Sequence, residues 1–184
     1  MTELLHDLPL HAAQRNGSAP ALTSNERTLS YAELAHAIEC ACAGLLGLGI
    51  GRGERVAVYL DKRFETVVAM FGAARAGAVF VPVNPILKAE QVVHILRDCN
   101  VRVLVTTAQR AQELQAELAV SPDLRTLVVL DGDVADPSAL AGKSIMSWQG
   151  FLSAPRRPLS PFRRSACTAG TPSWKAHRVP AGIA

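Results

Sequence analysis

The sequence predicts an α/β fold for residues 1–136: a partial doubly wound, mainly parallel sheet with helices on both faces. Three observations predict it. Strand-like and helix-like segments alternate along the chain. The strand-like segments are largely apolar on both faces, which is typical of parallel strands that are covered on both sides. Each helix-like segment has one apolar face, which would pack against such a sheet.

The first long helix is predicted to begin after Ser30. Ser30 and Glu33 form a capping-box pattern, in which the hydroxyl and the carboxylate each bind a free backbone N–H group at the helix start. One apolar face follows at helical spacing: Leu34, Ile38, Ala41 and Leu45. The glycine-rich run at 47–53 should end this helix, because glycine adopts the left-handed backbone of a helix C-cap at little cost.

The remaining elements follow as strand and helix in turn. The predicted strands are 56–60, 78–81, 101–105 and 127–130. The predicted helices have apolar faces within 64–71, 92–99 and 108–118. Strands followed by helices indicate parallel pairing with crossover connections.

A change in charge divides the chain near Asp136. Residues 1–136 hold all 16 carboxylates and 12 basic residues, whereas residues 137–184 hold seven basic residues and no acidic one. Residues 154–184 also contain five prolines and no helical or strand period. We therefore expect a domain portion over 1–136, a loop or linker over 137–153, and a disordered, basic, proline-rich tail over 154–184.

Composition excludes several classes of protein and site. The longest apolar run, 67–74, is far shorter than the roughly 20 residues that cross a bilayer. The N-terminus contains Glu3 and Asp7 and lacks the basic start of a secretory signal, which predicts a cytoplasmic protein. The four cysteines lack the paired spacing of a zinc site, so no metal site is predicted. Seven basic residues in the last 48 are a weak signal for phosphate binding, and we predict no nucleic-acid partner.

Two motifs resemble nucleotide-binding loops. The glycine run at 47–53 follows a helix and precedes a strand, which is the reverse of the order in a dinucleotide fingerprint, so a turn is predicted. The triplet Gly142-Lys143-Ser144 resembles the end of a P-loop, but Pro137 stands where the first glycine is required. A surface loop is the better interpretation.

No catalytic constellation emerges from the residue types. His36 and His94 lie on separate predicted helices. A charged group follows the first buried strand, at the carboxyl edge where open α/β sheets bind ligands: Asp61, Lys62, Arg63 and Glu65. The alternative, which we favour, is a set of solvated charges that cap the helix beginning at 64.

Three blocks of the sequence carry a family resemblance. They are Leu29-Ser-Tyr-Ala-Glu-Leu34, Leu48-Gly-Ile-Gly-Arg-Gly-Glu-Arg-Val-Ala-Val58 and Ala76-Gly-Ala-Val-Phe-Val-Pro-Val-Asn-Pro85. In their order and spacing, they resemble the N-terminal portion of the AMP-forming acyl-CoA synthetases, which are adenylate-forming enzymes. The stretches 59–68, 84–88 and 95–99 resemble the subgroup of acyl-CoA ligases found beside exosortase systems.

The resemblance implies a function for the full-length family. Such enzymes use ATP and Mg²⁺ to convert a carboxylic acid to an acyl-adenylate, release pyrophosphate, and transfer the acyl group to coenzyme A. Their partners are thus a small carboxylic acid and CoA. In the family, a Ser/Thr/Gly-rich phosphate loop follows the matched region, and the ribose-binding Asp and the catalytic Lys come later.

The sequence departs from the family where the phosphate loop is expected. Residues 166–176 read Ala-Cys-Thr-Ala-Gly-Thr-Pro-Ser-Trp-Lys-Ala. Thr168, Gly170 and Thr171 match a Thr-Ser-Gly-Thr opening, but the second glycine and the Pro-Lys-Gly ending are missing. A loop that wraps phosphate with backbone N–H groups needs glycine for close approach. We therefore assign no catalytic residue, and we expect no cofactor for this chain by itself.

The resulting prediction is a truncated acyl-CoA ligase that is inactive alone. An α/β portion cut from its parent domain leaves a sheet edge open, through which self-association is expected. Residues after a point between 150 and 166 are further predicted to be out of the ancestral reading frame, since the acidic residues and the resemblance both end before them. The alternatives are a non-catalytic α/β binding or interaction module and an independent nucleotide-binding protein.

Overall fold

The computed structural model describes residues 4–24, 26–140 and 142–153. Its first half contains α1 (Asp7–Asn16), β1 (Pro20–Ser24), β2 (Arg27–Ser30), α2 (Tyr31–Gly47), β3 (Arg55–Tyr59), α3 (Phe64–Arg75) and β4 (Val79–Pro82). Its second half contains α4 (Ala89–Asp98), β5 (Val101–Thr107), α5 (Ala108–Glu113), α6 (Gln115–Ala119), β6 (Thr126–Leu130), a 3₁₀ helix (Pro137–Leu140), β7 (Ser144–Ser147) and α7 (Trp148–Leu152).

Five strands form a parallel sheet in the order β4-β3-β5-β6-β7, and β1 and β2 form a separate antiparallel hairpin. Two apolar clusters cover the two faces of the sheet. The first cluster contains residues of α2, α3 and α7, and the second contains residues of α4, α5 and α6. The predicted α/β class, the parallel pairing and the helices on both faces are therefore confirmed.

The local signals at the ends of α2 are also confirmed. Glu33 N–H donates to Ser30 Oγ at 3.3 Å, and Ser30 N–H donates to Glu33 Oε2 at 2.8 Å, which completes the capping box. Gly49 and Gly53 have φ angles of 75° and 77°, the left-handed region that glycine adopts most readily. The glycine run is thus a turn between α2 and β3.

The predicted loop or linker over 137–153 is wrong. This segment contains the 3₁₀ helix, β7 and α7, and β7 extends the sheet in register with β6, with Leu127 opposite Ile145. Phe151 is 1% exposed and packs in the first cluster. A strand of four residues and a helix of five are too short to show a period, so long-range contacts define these elements where the sequence pattern does not.

The predicted helix over 108–118 is divided. α5 ends at Glu113, α6 begins at Gln115, and Leu114 between them has φ −100° and ψ 6°, outside the helical range. Leu114 and Leu118 are nevertheless buried in the second cluster, so the apolar spacing that predicts a helix face is retained across the break. The tail over 154–184, including Thr168, Gly170 and Thr171, lies outside the described residues. Within the described ranges, no helix is long and apolar enough to cross a membrane.

Candidate functional site

The candidate site lies at the carboxyl edge of the parallel sheet. β3, β5 and β6 end there, at Tyr59, Thr107 and Leu130. Because the loops that follow parallel strands meet at one edge, they bring charged side chains together from distant parts of the chain. The charged groups with contacts at this edge are Asp61, Arg63, Glu65, Arg110 and Asp131.

A crevice is expected between β3 and β5 from the topology. The two strands are adjacent and parallel. The helix after β3, α3, belongs to the first apolar cluster, whereas α5, which follows β5, belongs to the second. The connections therefore leave these neighbouring strands toward opposite faces, the arrangement in which open α/β sheets bind ligands.

Arg63 forms ion pairs with two acidic residues, Glu65 and Asp131. Its Nε donates to Glu65 Oε2 at 2.8 Å, and its Nη1 and Nη2 contact the carboxylate of Asp131, the latter at 3.2 Å. Burial opposes ionisation of Glu65, but the hydrogen bonds from Arg63, a backbone hydrogen bond at Glu65 and the positive charge of Arg63 together outweigh it, so the pKa of Glu65 lies below its ordinary value. The hydrogen bonds to Glu65 and Asp131 in turn raise the pKa of Arg63.

Arg110 lies over the ring of Tyr59. Its guanidinium carbon is 4.7 Å from the ring centroid, and its Nη2 donates to Asp61 Oδ1 at 2.9 Å. Its Nη1 donates to the backbone carbonyl oxygen of Tyr59 at 3.4 Å, which also accepts from Thr106 Oγ1 at 3.1 Å. The Arg110 side chain thus spans the carboxyl ends of β3 and β5, at the place where the topology predicts a crevice.

The structure divides the charged group predicted after the first strand. Arg63 and Glu65 are partly buried and paired, so they are not simply solvated charges, and the N-cap residue Arg63 makes no side-chain capping bond. Asp61 and Lys62 are exposed, as the favoured interpretation expects, but the Asp61 carboxylate is also paired with Arg110. Lys62 lines a pocket of about 250 Å³ between the β1–β2 hairpin and the start of α3, beside Thr23.

The triplet Gly142-Lys143-Ser144 and His94 are other candidates from the sequence. Lys143 Nζ donates to the backbone carbonyl oxygens of Ser121 and Leu124, the latter at 2.8 Å, so its ammonium group is engaged within the chain. Ser144 begins β7, so the surface-loop prediction for the triplet fails at that residue, because pairing with β6 orders it. His94 is exposed on α4 and, in the described ranges, no three His, Cys, Asp or Glu residues are grouped as a metal site.

Sequence reasoning missed Tyr59, Arg110 and Asp131. Arg110 is the third residue of α5, and Asp131 is the first residue after β6. The signal that could have found Arg110 and Asp131 is their position after the predicted strands, at the edge where Asp61 also lies, whereas Tyr59 lies within the predicted strand 56–60. Asp131 has φ 59° and precedes Gly132, which marks a tight turn at this edge.

The described site carries no catalytic constellation. Arg63 and Arg110 are each neutralised by nearby carboxylates, and the site contains no nucleophile with an adjacent base. The arrangement can fix the loops that follow β3, β5 and β6 relative to one another. These contacts therefore stabilise the loops, and within the described residues they do not form a reaction centre.

Comparisons with known proteins connect this scaffold to a family. The family profile described as AMP-binding enzyme matches residues 10–167. The L-proline–[L-prolyl-carrier protein] ligase of Pseudomonas fluorescens is 32% identical over 112 residues, which are 61% of this chain and 22% of that protein. The medium/long-chain-fatty-acid–CoA/3-oxocholest-4-en-26-oate–CoA ligase of Mycobacterium marinum is 30% identical over 142 residues, which are 77% of this chain and 26% of that protein.

Solved structures agree with the sequence relatives. The apo structure of MbtA from Mycobacterium smegmatis matches with a TM-score of 0.69 and 30% identity, covering 88% of this chain and 29% of that chain. The chain spans only about a quarter of the length of the two curated relatives. The narrower resemblance to exosortase-associated ligases stays a prediction. The profile match over most of the chain, together with these relatives and the shared fold, shows that the chain belongs to the AMP-binding enzyme family.

Proposed function

We propose that residues 10–153 form part of the scaffold of an ATP-dependent, adenylate-forming ligase, and that the 184-residue chain alone does not form acyl-adenylate. The observation that carries the proposal is the family match over residues 10–167. Members named among the relatives include ligases that act with CoA and with a carrier protein. The reaction proposed for the complete enzyme is activation of a carboxylic acid with ATP and Mg²⁺.

The geometry supports a scaffold role for this part of the chain. The guanidinium groups at the carboxyl edge are paired with Asp61, Glu65 and Asp131, so their charge is already balanced. Stabilising the charge on a transferring phosphoryl or adenylyl group requires donors that are free to face it. The sequence at 166–176 also lacks the second glycine and the Pro-Lys-Gly ending of the family's phosphate loop.

We propose coenzyme A as the thiol acceptor of the complete enzyme. The support is the resemblance of three sequence blocks to acyl-CoA synthetases, together with the match of the Mycobacterium marinum CoA ligase to 77% of this chain. A chimeric enzyme that forms acyl-adenylate can be offered either acceptor. Thioester formation with CoA supports this choice, and transfer to a carrier protein alone contradicts it.

The scaffold proposal is tested by segment exchange. Residues 10–153 replace the matching segment of the Mycobacterium marinum ligase, and carboxylate-dependent exchange of labelled pyrophosphate into ATP is measured. We expect exchange by the chimera and none by the 184-residue chain. The ligase with the segment deleted is the negative control.

Different results would contradict the scaffold role and the inactivity of the 184-residue chain. A folded chimera without exchange contradicts the scaffold role, whatever the 184-residue chain does. Exchange by the 184-residue chain clearly above a blank contradicts its inactivity, and it would mean that phosphate-binding groups exist outside those described.

A further inference from the structure

We propose that the crevice between the carboxyl ends of β3 and β5 is a binding site for a planar cation, and that Arg110 occupies this site within the chain. Three groups form the site: the ring face of Tyr59, the backbone carbonyl oxygen of Tyr59, and the carboxylate of Asp61. This assignment does not depend on the proposed ligase function, because it rests on these contacts alone.

The chemistry of the three groups selects a guanidinium. An aromatic face attracts a cation through its quadrupole, and a flat guanidinium stacks on it better than a compact ammonium does. The in-plane N–H groups then reach two acceptors, Asp61 Oδ1 at 2.9 Å and the Tyr59 carbonyl oxygen at 3.4 Å. One planar cation therefore satisfies the ring, the carboxylate and the carbonyl together.

The exposed fractions of the two side chains show that Arg110 is enclosed by the protein and Asp61 is not. The Arg110 side chain is 16% exposed, whereas the Asp61 side chain is 69% exposed. The cation is therefore held within the protein, and its carboxylate partner faces solvent. Arg110 N–H also donates to Thr107 Oγ1 at 3.3 Å, which fixes the first turn of α5 beside the crevice.

Occupation by Arg110 has a consequence for ligand binding. A molecule that enters this crevice must first displace a guanidinium with favourable ring and carboxylate contacts. In the structure, the Arg110 guanidinium therefore occupies the site and blocks the binding of another cation. A small guanidinium or amidinium compound is the class of ligand that can replace it, because it reproduces the same three contacts.

The test uses the full 184-residue chain and methylguanidinium as the probe. The chain has two tyrosines, Tyr31 and Tyr59, so tyrosine-labelled protein gives two sets of ring signals by NMR. In the Arg110→Ala chain, we expect methylguanidinium to shift the Tyr59 signals saturably and to leave those of Tyr31 unchanged. The unaltered chain should show no saturable shift. Adding Asp61→Asn to Arg110→Ala should weaken the binding by about tenfold.

Two controls keep the result decisive. Arg97→Ala removes an exposed arginine from α4 and should behave like the unaltered chain. Should Arg110→Ala fail to fold, Arg110→Lys replaces it: the ammonium is the poorer occupant, so methylguanidinium should still shift Tyr59 at higher concentration. Equal shifts of both tyrosines, equal shifts in the Arg97 and Arg110 variants, or no Tyr59 shift in a folded Arg110 variant would overturn the proposal.

Discussion

Phe151 fills the space that a side chain at Gly44 would need. A Cβ atom at position 44 would lie 2.5 Å from both the ring carbon Cε2 and the backbone carbonyl oxygen of Phe151. α7 thus packs directly on the backbone of α2, with Phe151 1% exposed and Trp148 against its ring at a centroid distance of 5.3 Å. The absence of a side chain at Gly44 permits this contact, which joins the last described helix to the first long one.

Gly44→Ala should therefore destabilise the protein. An alanine inside a helix is intrinsically better than glycine by about 1 kcal/mol, but overpacking against Phe151 costs typically about 1–3 kcal/mol, and the contact here involves backbone as well as ring. We expect a net loss in the free energy of urea unfolding. Gly51→Ala is the control, because its Cβ would meet only the flexible Glu54 side chain, at an ordinary contact distance of 3.5 Å or more. Equal stability of the two variants would contradict the packing argument.

Lys143→Met should also destabilise the fold, since it removes the donor shared by the carbonyl oxygens of Ser121 and Leu124. Leaving partly buried acceptors without a partner costs about 1–3 kcal/mol. The exposed Lys62 provides the control, and Lys62→Met should change the unfolding free energy by no more than about 0.5 kcal/mol. A thermal melt that shifts equally for both variants would show that Lys143 is an ordinary surface lysine.

Stability should fall in acid partly through Glu65. Its pKa in the folded chain lies below the ordinary value of 4.5, so the ionised form is favoured by folding. Its contribution is complete above that ordinary value and is lost as the pH falls through the folded pKa. We expect urea midpoints measured from about pH 6 to about pH 3 to decline less steeply for Glu65→Gln than for the parent chain. Parallel declines would mean that Arg63 does not favour the ionised carboxylate.

Self-association through an open sheet edge remains a prediction, and β4 is where we expect it. Within the described ranges β4 pairs with β3 alone, and Val79 on this strand is 50% exposed. A lysine on an edge strand opposes edge-to-edge pairing. Val79→Lys should therefore lower the average mass found by sedimentation at high concentration. Val120→Lys, which changes a 68% exposed valine outside the strands, should leave that mass unchanged.

Much of the fold could be predicted from local pattern, and most of the candidate site could not. Ile38 and Val56 are fully buried, as the apolar spacing of a helix and a buried strand predicts. α7 was missed because five residues carry no period, although Phe151 is among the most buried side chains. The charge boundary at Asp136 was misleading, since it reflects surface composition while β7 and α7 continue the core beyond it.

The site depends on pairs that local pattern does not determine. Arg63 and Asp131 are 68 positions apart, and Asp61 and Arg110 are 49 apart. Their approach follows from the strand order, which places β3 beside β5 and β5 beside β6. Sequence reasoning identified Asp61 and Arg63 by their place after a strand, but choosing their partners required the register and order of the whole sheet.

The packing of α7 on α2 has a consequence for synthesis of the protein. Translation proceeds from the N-terminus, so α2 and α3 emerge from the ribosome long before Phe151 does. Until residue 151 is outside the exit tunnel, the surface of α2 around Gly44 has no native cover. The nascent domain therefore carries an uncovered apolar patch through most of its synthesis, and a chaperone that binds early should be released only after α7 has emerged.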